Sequence, residues 1–146
     1  MIKEPRVTLK TAKLLKEWGF EERCNAYYIN NASKPREDYD NFNWNSKRHS
    51  TKDYQYTSAP TQTVVTKWLR DKYSILIVVS LDKDTNMFEA TVYLYSSSNQ
   101  WAKLYIEPNH KCLTYEKILE KAIYHTIKDV LPNLTSSIGH NGCIII

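Results

Sequence analysis

Between Tyr73 and Tyr95 the chain spells out a β-hairpin. A β-branched run, Tyr73 to Leu81, meets a polar turn, Asp82-Lys-Asp-Thr-Asn86. The return, Met87 to Tyr95, alternates Phe88, Ala90, Val92 and Leu94 with Glu89, Thr91, Tyr93 and Tyr95. Successive strand side chains point to opposite faces, so the return arm has one dry face. That face must be covered, and so short a turn joins only antiparallel neighbours. The two demands restrict the chain to antiparallel sheet with helices packed on one side.

The remaining segments supply those parts. Trp101 to Ile106 reads as a third strand of the meander, ended by Pro108. A helix is expected from Thr114 to Leu131, where Tyr115, Leu119, Ile123, Ile127 and Leu131 recur every fourth residue before Pro132. Upstream, Thr8 is an N-cap candidate for a short helix carrying Leu9, Ala12, Leu15 and Trp18 and stopping at Gly19. Cys24 to Ile29 and Asp53 to Thr57 read as strands, and Ala59-Pro60 as the start of a helix running to Tyr73. The expected class is α+β, a mostly antiparallel sheet of about five strands with three helices in the order α-β-β-α-β-β-β-α. Residues 1–132 are expected to form a single domain with a polar insertion at 31–52, and 133–146 a tail that is polar until Cys143-Ile-Ile-Ile146.

The 31–52 excursion is the departure from this economical plan. Long structureless loops are uncommon in compact domains, so it is functional, mobile, or packed by its own aromatics, Tyr39, Phe42 and Trp44.

Two helical segments, Thr8-Leu-Lys-Thr-Ala-Lys-Leu-Leu-Lys-Glu-Trp-Gly-Phe20 and Ala59-Pro-Thr-Gln-Thr-Val-Val-Thr-Lys-Trp-Leu-Arg-Asp-Lys-Tyr73, resemble a group of small uncharacterised proteins carried by phages and prophages of Bacteroidales gut bacteria. Leu113 to Ala122 is similar to the final helix of that group. The resemblance covers about half the chain, outside 31–52 and the tail, and it implies a mobile-element origin without transferring any functional residue.

Several chemistries can be weighed from the residues. Asp82, Asp84 and Asn86 begin like a calcium loop, but Met87 stands where the sharp turn needs Gly and Tyr93 where a bidentate Glu belongs. His110 with Cys112, and His140 with Cys143, would be enough ligands for zinc, yet their spacings fit no finger pattern. Three glycines in all, none clustered, argue against a phosphate-cradling loop. No nucleophile is placed beside a base, so no catalytic residue, metal or cofactor is expected and the protein is read as non-enzymatic.

What stands out is aromatic residues interleaved with basic ones. Tyr27, Trp44, Tyr54 and Tyr56 fall near Lys47 and Arg48 and form the candidate binding set. Eleven tyrosines and a net charge of +4 are compatible with stacking on unpaired bases, whereas Glu37, Asp38, Asp40 and Asp53 dilute the positive field. The N-terminus shows no secretory h-region, and the longest apolar run, Ile75 to Val79, is far too short to span a bilayer. A cytoplasmic location in a bacterial host, with no membrane role, is therefore expected. The function read from the sequence is a phage-associated binding protein that engages a host protein or itself through its aromatic loop, sheet edge or Ile-rich tail. Single-stranded nucleic-acid or nucleotide binding is the alternative, and an enzyme of unknown type the further one.

Overall fold

The computed structural model describes residues 2–95, 101–106 and 111–137, with backbone alone for 101–106 and 135–137. The expected turn at Ser96 to Asn99, the stop at Pro108 and the end of the tail lie outside these residues. The chain divides into two compact units, Met1–Val64 and Val65–Ile146. Each is built on its own antiparallel sheet.

In the first unit, α1 (Leu9–Glu17) begins at Thr8, whose hydroxyl accepts from Thr11 N at 3.4 Å. It ends as the sequence requires. Gly19 takes φ +78°, Gly19 N donates to Lys16 O at 3.2 Å, and Phe20 N donates to Leu15 O at 2.9 Å. This paired closure satisfies the Leu15 and Lys16 carbonyls and needs a residue free to enter the left-handed region. Thr11, Ala12 and Leu15 form the buried stripe.

The sheet of this unit runs in the order β2-β1-β3, from β1 (Cys24–Ile29), β2 (Arg36–Phe42) and β3 (Tyr56–Ser58). On β1, Cys24, Ala26 and Tyr28 are buried in alternation with Asn25, Tyr27 and Ile29. The Tyr28 hydroxyl donates to Val7 O at 2.8 Å, satisfying a polar tip inside the core. β2 corrects the reading of 31–52 as a loop. Its sequence has no apolar alternation, and pairing with β1 alone makes it a strand. The ladder is broken between Cys24↔Phe42 and Ala26↔Glu37, so Asp38 to Asn41 bulge opposite Asn25. Tyr39 at the bulge is fully exposed.

Helix α2 (Gln62–Tyr73) starts later than Ala59-Pro60, because those residues still belong to backbone pairing. Ala59 N donates to Ala26 O at 3.0 Å and Pro60 O accepts from Val7 N at 3.0 Å. Thr61 caps the helix instead, its hydroxyl accepting from Val64 N at 3.3 Å.

The second unit holds the meander β4 (Ile75–Asp82), β5 (Met87–Tyr95) and β6 (Trp101–Ile106), in the order β4-β5-β6. Ile75, Val92 and Leu94 lie at 1 % exposure on the face that packs against α3 (Tyr115–His125), which contributes Ile118, Leu119, Ala122 and Ile123. The expected helix end at Leu131 is overturned. A π-turn, Thr126–Val130, passes into α4 (Leu131–Ser137), so the helical body runs through Pro132. Proline lacks an N–H and its ring presses on the carbonyl four residues back. The wider turn, in which Leu131 N donates to Thr126 O, relieves that clash without ending the helix.

The α+β class and the antiparallel pairing expected from the sequence hold, with the six strands divided into two sheets of three. Among the described residues no helix is long and apolar enough to cross a membrane.

At the hairpin turn Asp82 is gripped by the Lys111 ammonium, which holds its carboxyl below the usual aspartate range; Lys111 is raised in return by Asp82. The stabilisation from Asp82 is complete above the ordinary carboxylate pKa and lost as pH falls through the depressed one; that from Lys111 is complete below the ordinary lysine pKa and lost as pH rises through the raised one. NMR titration is expected to show the Asp82 midpoint rising in Lys111→Met. An unchanged midpoint would contradict the pairing.

Candidate functional site

The excursion brings three of the six candidate residues together, Tyr27, Trp44 and Tyr56. Tyr27 projects from β1 on the face away from Tyr28, and Trp44 lies on it with ring centroids 4.3 Å apart. Tyr56 completes the group at 5.2 Å from Tyr27 and 6.1 Å from Trp44. Phe42 and His49 close around Trp44 at 5.3 and 5.1 Å. Trp44 is only 7 % exposed, and its indole N–H donates to Cys24 O at 2.8 Å. The indole is thus a plug beneath the loop, with its faces taken by neighbouring rings. Tyr54, at 55 % exposure, makes no ring contact with the cluster, and Lys47 and Arg48 are exposed on the loop.

Asn45 locks this arrangement and was not anticipated from sequence. Its side-chain amide donates to Phe20 O at 2.9 Å, and its carbonyl oxygen accepts from Ser58 N at 2.8 Å. The Ser50 hydroxyl accepts from Tyr56 N at 3.1 Å. Together these side chains cover the outer edge of β3. A run of Asn and Ser after a strand was the available signal, since such side chains substitute for a missing backbone partner.

Across the same sheet, an open groove of about 640 Å³ lies between α1 and the strand ends. Its polar groups already bond one another. Lys16 Nζ donates to Tyr56 O at 2.8 Å, with burial lowering its pKa, and Lys13 Nζ donates to the Asn31 side chain. Gln55 N donates to Asn30 Oδ1 at 2.8 Å.

No three His, Cys, Asp or Glu side chains converge as metal ligands among the described residues. In the calcium-like segment, Asp82 Oδ1 accepts from Asp84 N at 3.0 Å, an ordinary turn bond, while Lys111 takes the other oxygen. His110, His140 and Cys143 lie outside the described residues.

In the second unit the edges are treated differently. Ser74 O accepts from Tyr95 N at 2.9 Å, and β4 and β5 pair without a break from Ile75↔Leu94 to Asp82↔Met87. Hydrogen-bonded and open pairs alternate in an antiparallel ladder. Leu76, Val78, Ser80 and Asp82 therefore bond to β5, and Ile75, Ile77, Val79 and Leu81 turn their N–H and C=O groups outward. No residue of the described chain bonds to that outer row. From Ile75 to Leu81 there is no charge, no proline and no bulge to blunt it. Val78 and Leu81 are exposed at 39 % and 47 %.

Comparison with known proteins finds no matching family model, no matching curated protein and no matching solved structure.

The plug role of Trp44 sets a stability difference between two aromatic residues of one loop. Trp44→Ala is expected to lower unfolding free energy by about 3 to 5 kcal/mol, and Tyr54→Ala by no more than about 0.5 kcal/mol. Urea denaturation of both variants measures this, and equal losses would contradict it.

Proposed function

We propose that the chain is a non-enzymatic interaction protein of a phage or prophage that holds a protein partner by strand addition at the outer edge of β4. The phage origin rests on the resemblance of the Thr8 to Phe20 and Ala59 to Tyr73 segments. The mode of binding rests on the open backbone row of Ile75, Ile77, Val79 and Leu81. An added strand satisfies these groups through main-chain bonds, each worth about 0.5 to 1.5 kcal/mol net, while alternate side chains choose the partner. The non-enzymatic part is supported by the structural use of the titratable groups. Asp82 is tied to Lys111, Asp71 to Lys67 at 2.5 Å and His125 to Asp129 at 2.9 Å, while His49 packs among rings.

A second reading, single-stranded nucleic-acid binding, draws on Lys47, Arg48 and Tyr54, which stay exposed on one loop. Its stacking surface is narrowed by the burial of Trp44. Salt-sensitive binding of labelled single strands, lost in a Lys47→Glu, Arg48→Glu variant, would favour it. The absence of such binding would remove it.

Strand addition has a selective probe in proline. At Val79 the N–H faces outward, so Val79→Pro removes an edge donor and leaves the β5 ladder intact. Peptides selected from a random display library on the intact chain are expected to be extended and apolar in alternation, and to lose binding to Val79→Pro. Selected peptides that bind both forms equally would contradict the proposal.

A further inference from the structure

We infer that the β4 edge is occupied by the same strand of a second copy, paired antiparallel about a two-fold axis at Val78 to make one continuous sheet of six strands. This rests on the strand-addition reading and names its partner.

Register follows from parity. Only Ile75, Ile77, Val79 and Leu81 offer groups to the outer edge, so each must face another outward residue across the axis. An axis at Ile77 pairs Ile75 with Val79 and strands Leu81; an axis at Val79 pairs Ile77 with Leu81 and strands Ile75. An axis at Val78 pairs Ile75 with Leu81 and Ile77 with Val79. It is the register that satisfies all four outward residues, and it ends where Ser74, at φ +56°, turns the chain out of the strand.

Side chains agree with that register. Val78 meets its own copy at the axis, and Leu81 comes to lie opposite Ile75, so the two most exposed apolar side chains of the strand are covered by the pairing. No charge falls between Ile75 and Leu81, so nothing is repelled when the strand meets itself. Asp82, the first charge, lies opposite Ser74 and is already held by Lys111. A partner strand of either charge would gain nothing here from complementarity. An uncharged apolar strand is what this edge matches, and β4 is itself such a strand. The edges of the other sheet illustrate the contrast, for β3 is covered by Asn45 and Ser50 and β2 carries Arg36, Glu37, Asp38 and Asp40.

Cysteine cross-linking reads the register directly. An open antiparallel pair sets its Cα atoms about 4.5 Å apart, inside disulfide reach, whereas Val79 and its copy would stand ~8 Å apart. In a Cys143→Ser background, Val78→Cys is expected to oxidise to a covalent dimer and Val79→Cys is not. The unmodified chain is expected at twice 17.2 kDa in sedimentation, with Val79→Pro weakening the dimer by roughly a hundredfold or more. A dimer that survives Val79→Pro unchanged, or that cross-links equally at both positions, overturns the inference. A monomeric chain with no Val78→Cys cross-link also overturns it. If library peptides still require the intact edge in that case, strand addition stands with a different protein as occupant; if they do not, both readings fall.

Discussion

A strand cannot bury its hydrogen-bonding groups in its own body as a helix does; each residue leaves one N–H and one C=O to be met by whatever lies beside it. Among the described strands of this chain that obligation is discharged in two ways, and at one edge it is left open. Central strands β1 and β5 are flanked on both sides by other strands. The edge strand β3 is met by side chains, from Asn45 and Ser50 of the loop that precedes it. At β4 the outward groups of four successive alternate residues meet no such cover among the described residues.

The cover of β3 explains why the first unit tolerates so polar a stretch between its strands. The loop is held by a buried indole, an asparagine bridging Phe20 and Ser58, and side chains that stand in for a fourth strand. Tyr27 and Tyr56 pack together because diagonal neighbours on one sheet face lie within reach of large rings, and the loop lays Trp44 against both. The aromatic richness of this region is therefore accounted for by the energetics of holding a long excursion against a three-stranded sheet. What it leaves at the surface is modest, a few basic residues and the tyrosines at 39 and 54.

Much of this was legible in the residues. The hairpin from β4 to β5, the third strand and the closure of α1 at Gly19 follow from periodicity and from the left-handed freedom of glycine. The features that escaped depend on tertiary context. β2 has no pattern of its own and exists because β1 offers it an edge, and helix continuation through Pro132 depends on a π-turn that composition does not announce. Of the candidate residues, Tyr27, Trp44 and Tyr56 pack into one ring cluster, while Tyr54, Lys47 and Arg48 stay outside it. Their burial was not legible, because exposure is decided by what folds over a residue. The β4 edge was written in plain apolar letters, but strand order determines which strand is left outermost, and one sequence does not fix that order.

The most direct measurement is residue-resolved amide hydrogen exchange on the full chain at low and high protein concentration. The amides of Leu76, Val78 and Ser80, bonded to β5, should be protected at both. Those of Ile75, Ile77, Val79 and Leu81 should exchange freely when the chain is dilute and become protected together when it is concentrated. Outward amides that exchange freely at every concentration, or that are protected even at high dilution, would contradict an edge completed by a second copy.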